Sequence, residues 1–222
     1  MLKEIIEAFR HKNVISELSV QVGEMLEAGR WMFEQASDVL MRKAEWHATC
    51  DSLYTRDRQI NEIEQGIRER IVTHLSVGNQ ADLGPCLALM NVVKDAERIG
   101  DYCKNIFEVG RFYRGSFSHR SFAEPLDDIR QKIISLFEPT RQAFIEVDND
   151  KAERILQETN IVVKQCDLIV QQLLVLDDSF NASEAVAYVL LARHYKRVEA
   201  HLSNIALSVI SPVAFLDFPS RT

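Results

Sequence analysis

The sequence predicts an all-α protein built from two tandem three-helix-bundle repeats, six long helices in total. Three observations carry that expectation. Apolar residues recur in steps of three and four along nearly the whole chain, the period of a helix face. Glycine (8) and proline (5) are scarce among 222 residues, which suits long helices and few turns. The apolar seams of the later half reproduce those of the earlier half at a shift of 99 residues.

The elements follow in order. Leu2, Ile5, Ile6 and Phe9 predict a short amphipathic helix at the start. Ile15, Leu18, Val22, Met25, Gly29, Met32, Ala36 and Val39 then form a heptad-like seam, the first long helix. The second helix shows Ile60, Ile63, Ile67, Ile71 and His74, and Asn79 to Asp82 supplies a turn and a cap. The third shows Leu89, Val92, Ala96, Ile99, Cys103, Ile106 and Gly110. The stretch Arg111 to Pro125 breaks the pattern and reads as the linker, with Pro125 in the first turn of the next helix. That fourth helix carries Ile129, Ile133, Leu136, Thr140, Ala143 and Val147, and Pro139 should kink it. Asp148 to Asp150 turns the chain into a fifth helix, marked by Ile155, Thr159, Val162, Cys166, Ile169 and Leu173. Asp177 to Asn181 turns it again. The sixth shows Tyr188, Leu191, Tyr195, Val198, Leu202, Ile205 and Val209, and Pro212 ends it. The apolar tail Val213 to Phe218 should pack on the bundle.

The shift of 99 residues aligns two helix pairs at once. It also aligns identities: Asn61 with Asn160, Arg98 with Arg197, and Asn105-Ile106 with Asn204-Ile205. The implied domains are residues 1–115, a first repeat with the short N-terminal helix, and residues 116–222, a second repeat with the tail.

Composition narrows the function. The net charge of −7, with acids and bases interspersed, argues against nucleic acid as a partner, since that surface needs a basic stripe. The longest apolar run, Val186 to Ala192, is far below the ~18 residues of a spanning helix, so no stable membrane insertion is expected. The opening MLKEIIEAFRHK lacks the apolar stretch of a signal peptide, and a cytoplasmic location is the expectation. The cysteines Cys50, Cys86, Cys103 and Cys166 are widely spaced and read as small core residues. No histidine follows a glutamate by three residues, and no phosphate loop, nucleophile elbow or HExxH motif occurs, so the expectation is a non-enzyme. Trp31, Trp46 and His74 read as packed residues, and Asn105 and Asn204 as residues that fix helix register.

The chemistry-bearing residues are acidic. Glu97 and Asp101 stand four apart on the third helix and share a face beside the apolar seam. Asp57, Asn61 and Glu64 do the same on the second helix. If the helices pair, four carboxylates line one groove, which repels itself unless a cation sits there. Oxygen donors suit Mg, Ca, Mn or Fe. The plainer reading is a solvated flank in which Lys94 and Arg98 neutralise the acids.

The run Glu97-Arg98-Ile99-Gly100-Asp101-Tyr102-Cys103-Lys104-Asn105-Ile106 resembles the PhoU signature ERIGDHxxNI, and Asp57 to Glu64 resembles that family's second-helix motif. The likeness covers nearly the whole chain. It implies a phosphate-uptake regulator, an adaptor between a phosphate ABC transporter and a sensor histidine kinase that restrains phosphate-starvation signalling. A homodimer contact is the alternative to bundle packing for the apolar N-terminal helix and tail. The likeness further implies an E/DxxxD motif in each repeat that holds iron or zinc in some members. Glu97 and Asp101 fit that motif. The second repeat departs from it, with Lys196, Ala200 and Val163 where the first has Glu97, Asp101 and Glu64. The alternative is a metal-binding helical-bundle protein with an accessory or enzymatic role.

Overall fold

The computed structural model describes the backbone of residues 2–77, 82–175 and 181–211, with side chains from Val14 onward. Among the described residues the chain forms six helices and no strand. They are α1 (Leu2–Leu40), α2 (Trp46–Ser76), α3 (Leu83–Phe112), α4 (Arg120–Glu146), α5 (Asn149–Leu174) and α6 (Ala182–Ile210). The predicted short first helix is the start of α1, which runs unbroken for 39 residues. The side chains of residues 1–13, the turn residues 78–81 and 176–180, and the tail from 212 onward lie outside the described residues.

Each repeat is a three-helix bundle, and the two share one core. α2 packs on α1 and α3; α5 packs on α4 and α6; α1 meets α4, and α3 meets α6. The outer helices α2 and α5 therefore sit on opposite flanks of a central layer made from both repeats. The buried positions of α1 and α4 match at a shift of 104 residues: Leu18 with Phe122, Val22 with Leu126, Met25 with Ile129, Met32 with Leu136, and Phe33 with Phe137. Phe33 and Phe137 are thus equivalent residues, and their rings lie 6.1 Å apart, with Tyr195 5.3 Å from Phe33. A contact between equivalent residues marks a pseudo-twofold axis. The α3–α6 contacts obey the same axis. Asp95 meets His201, and Tyr102 meets His194, two contacts related by the shift of 99 residues.

Close approach explains one glycine. A Cβ at Gly110 would lie 2.9 Å from the Leu40 backbone nitrogen, so only glycine lets the C-terminal ends of α1 and α3 touch. Arg42 sits just past α1 at φ 59° and donates from its guanidinium to the carbonyls of Gly110, at 3.0 Å, and Tyr113.

The linker is shorter than the sequence suggested. It spans Tyr113 to His119, and α4 begins at Arg120, so Pro125 lies inside the helix and not in its first turn. Two contacts account for the early start. Phe122 is buried, 5.6 Å from the Tyr188 ring. The buried Glu184 carboxylate accepts from Ser118 N at 2.6 Å, Ser118 Oγ at 2.9 Å and His119 N at 3.3 Å, which ties down the two residues that lead into the helix. Burial works against that charge, yet these bonds hold the Glu184 carboxyl below its ordinary value. α4 also continues through Pro139, flanked by buried Leu136, Phe137 and Thr140.

The apolar spacing places Val147 at the end of the α4 seam. It is instead 69% exposed and left-handed, at φ 55°, the residue at which α4 stops. Asp148 then caps α5 by accepting from Lys151 N at 2.9 Å, which leaves a two-residue turn. A β-branched residue is strained there. Val147→Gly should therefore raise stability by about 0.5–1 kcal/mol, read from the urea midpoint; an unchanged or lower midpoint would show that the strain is absent.

Candidate functional site

The groove between α2 and α3 brings the predicted acids together. α2 presents Asp57, Asn61 and Glu64 one turn apart, and α3 presents Glu97, Asp101 and Lys104. Their apolar neighbours Ile60, Ile67, Ala96, Ile99 and Cys103 are buried, so the acids sit at the rim of the core rather than in open water. Asp57 is only 8% exposed.

Three cations hold these carboxylates. Lys104 Nζ bridges the two helices, 3.0 Å from Asp57 Oδ2 and 2.9 Å from Asp101 Oδ1. Arg98 lies 3.3 Å from Asp101 and 3.7 Å from Glu97. Arg68 pairs with Glu64 at 2.8 Å. Burial opposes the Lys104 charge, but its hydrogen bonds to Asp101 and Asp57 raise it above the ordinary lysine value. The remaining imbalance falls on Glu97. Burial, then the neighbouring Asp101 and Glu64 carboxylates, push it up to about 7, against the pull of Arg98. Four carboxyl groups thus meet three cations and one retained proton, and the groove is close to neutral below pH 7.

This differs in detail from the sequence reading. Arg98 does neutralise the acids, as expected. Lys104 was not singled out, although its place three residues after Asp101 on the same face was the available signal. Among the described residues no three histidine, cysteine, aspartate or glutamate side chains converge on a point where a metal ion would sit. As they stand, Asp57 and Asp101 hold the Lys104 ammonium.

The second repeat fills the matching groove differently. Lys196, the counterpart of Glu97, donates to both oxygens of Asp167 at 2.7 Å. Asp167 is the counterpart of Arg68, so the charges at these two positions are exchanged between repeats. Glu199, the counterpart of Gly100, is 1% exposed, and its Oε2 has no hydrogen-bond partner. Burial pushes this carboxyl up to about 8, opposed by Thr159 and Lys196, so it is neutral at pH 7.

A polar cluster joins the repeats between α3 and α6. His201 Nδ1 lies 2.6 Å from Asp95 Oδ1, and Asn204 donates to the same oxygen at 3.1 Å. The Tyr102 ring stacks on His201 at 5.6 Å and approaches His194 at 6.0 Å. Burial holds His194 below its ordinary value. Asn204 therefore fixes the meeting of α6 with α3, in keeping with its structural reading. Asp95 and His201 were missed; the shift of 99 residues that pairs Asp95 with His194 and Tyr102 with His201 was the signal.

A groove of about 940 Å³ opens where the C-terminal end of α3 meets the N-terminal end of α6. Phe112, Val186 and Leu190 line it and are 72%, 57% and 39% exposed. Asn105, Glu108 and His194 supply its polar wall. The other aromatic candidates are packed: Arg56 lies over Trp31 at 5.1 Å and Arg111 over Trp46 at 4.7 Å. His74 is buried, with Nε2 2.9 Å from Asp82 Oδ2. Cys86, Cys103 and Cys166 are buried and Cys50 is half-buried; all four are free thiols.

Comparison with known proteins identifies a family model described as PhoU domain, which matches twice, over residues 22–109 and 126–209. The chain is 25% identical over 190 residues to the phosphate-specific transport system accessory protein PhoU of Serratia marcescens, covering 82% of this chain and 76% of that one. It is 24% identical over 204 residues to a PhoU homolog of Thermotoga maritima, covering 90% and 84%. The crystal structure of PhoU from Pseudomonas aeruginosa superposes with a TM-score of 0.81 at 20% identity, over 91% of this chain and 98% of that one.

The two raised carboxyls make stability depend on pH. A carboxyl that keeps its proton when folded but loses it near 4.5 when unfolded stabilises the fold at low pH. That contribution is lost as pH rises through the folded value, here between about 4.5 and 8. Glu199→Gln should raise the urea midpoint at pH 8 more than at pH 5; an equal change at both would show that Glu199 does not carry the dependence.

Proposed function

The chain belongs to the PhoU family, and on that premise we propose that it is an accessory regulator of a phosphate transport system. The observation that carries the reading is the double match along one chain, together with relatives named as phosphate-specific transport system accessory proteins that it covers over most of their length. The physical form agrees. A rigid bundle with exposed recognition faces can bias a partner's conformational equilibrium by binding one state more tightly than another. No helix among the described residues is long and apolar enough to cross a membrane, which fits an accessory role beside a membrane transporter on its cytoplasmic side.

In finer detail, the protein acts as an adaptor. It contacts a phosphate ABC transporter and a sensor histidine kinase, and it holds the kinase in its non-activating mode when phosphate is ample. The groove at Phe112, Val186 and Leu190 is the favoured recognition face, because it exposes large apolar side chains at a concave surface. Deleting the gene should derepress phosphate-starvation genes in phosphate-rich medium, and the wild-type chain should restore repression. Phe112→Glu should fold normally and fail to restore it. Unchanged expression in the deletion strain would overturn the regulatory reading; full restoration by Phe112→Glu would remove only the groove.

The raised Glu97 carboxyl favours one second reading, a cation site on Glu97, Asp101, Asp57, Asn61 and Glu64. Iron or zinc there would have to replace both the Glu97 proton and the Lys104 ammonium. Lys104→Ala should then raise the metal content of purified protein, measured by elemental analysis, and Glu97→Ala with Asp101→Ala should abolish it. Metal-free protein in all three forms would end this reading.

A further inference from the structure

At equivalent places the two repeats each bury a carboxyl between an outer and an inner helix, but only the first repeat gives it a cation. There the acid is Asp57 of α2, 8% exposed, with the Lys104 ammonium of α3 at 3.0 Å. Gly100 of α3 leaves the space beside it open; a Cβ there would lie 3.7 Å from Asp57 Oδ1 and 3.3 Å from Ile60 Cδ1. In the second repeat the counterpart of Gly100 is Glu199, so the acid has moved to the inner helix α6. The counterparts of Asp57 and Ile60 are Leu156 and Thr159, and that of Lys104 is Ser203. Glu199 is 1% exposed, and its Oε2 has no hydrogen-bond partner. An unsatisfied buried group of this kind is uncommon and is one way a fold stores a switch.

The surroundings of Glu199 hold no cation in reserve. From α5 the Thr159 hydroxyl and the Cys166 thiol face it, with Asp167 next in the chain. On its own helix Lys196 is the charged group that pulls on it, and Lys196 already donates to both oxygens of Asp167 at 2.7 Å. The α4 charges Arg130 and Asp127 face Tyr195 instead. The α3 groups Asp95 and Tyr102 meet His201 and His194. His201 is two residues from Glu199, about 160° around the helix.

We propose that the Glu199 proton is a latch that keeps α5 closed on α6 and that its loss releases α5 while the central layer holds. With the proton in place the carboxyl is neutral and packs. Without it, the carboxylate must draw Lys196 away from Asp167 or admit water, because a buried charge without a match is unstable. Either course breaks the contact between α5 and α6. α5 is an outer helix that packs chiefly on α4 and α6, so it can move without opening α1 and α3. Burial pushes the Glu199 carboxyl up to about 8, which sets the latch just above neutrality. The first repeat has no such latch, since Asp57 keeps its lysine. The regulator thus carries one proton-sensitive half and one fixed half.

Hydrogen exchange of the full chain, read by mass spectrometry at pH 6.5 and pH 9 and corrected for the intrinsic exchange rate, tests the latch. The opening of α5 should rise about 30-fold between the two, the ratio for a carboxyl that titrates near 4.5 when released and near 8 when closed. α1 and α3 should stay protected at both. Glu199→Gln should remove the rise. Ser203→Lys, at a partly exposed site four residues on from Glu199, should suppress it by supplying the missing cation. Equal α5 protection at the two pH values, loss of protection in step with α1, or a rise that persists in either variant would each overturn the proposal.

Discussion

The structure depends on the packing of α1 against α4 and of α3 against α6 across the pseudo-twofold axis. Those four helices supply most of the large buried side chains, including Phe33, Phe107, Phe137, Tyr188 and Tyr195. Three of these rings meet across the boundary between the repeats. Phe33 of the first repeat rests on Phe137 and Tyr195 of the second, so each half completes the other's core. Burial of rings this size is the dominant favourable contribution to a helical core. Everything functional is hung from this centre, either in the flanking grooves that α2 and α5 make or at the ends where the repeats meet.

The polar groups at the centre and flanks follow from one rule: a charge near the core must be matched. Where the first repeat crowds four acids, Lys104, Arg98, Arg68 and the Glu97 proton match them. Where the second repeat has Lys196, Asp167 matches it. Glu199 has no full match, and so keeps its proton. Equivalent positions therefore reach neutrality by different routes, and the groove of the second repeat lacks the acidic pair of the first, with Lys196 and Ala200 in its place.

The seams were legible in the sequence because helix periodicity records burial directly. Nearly every seam residue read from α2, α3, α5 and α6 is buried or partly buried. The ends were less legible. Val147 looked like a seam residue because periodicity says nothing about where a helix stops. Pro125 looked like a first-turn residue because the contacts that start α4 earlier come from Glu184, 66 residues from Ser118. The acids of the α2–α3 groove were found by spacing. Their partner Lys104 was not, because its role depends on reaching Asp57 on another helix, 47 residues away in the chain.

The contacts that Asp95 and Tyr102 make with His201 and His194 show what covalent linkage of two repeats permits. Two separate copies of one short chain, joined about a true axis, must carry the same residue on both sides of it. Any acid at such a boundary would face an identical surrounding twice over. Fused in tandem, the halves are released from that identity. One side can specialise as acceptor and the other as donor, so the junction acquires a polarity that no pair of identical subunits could possess.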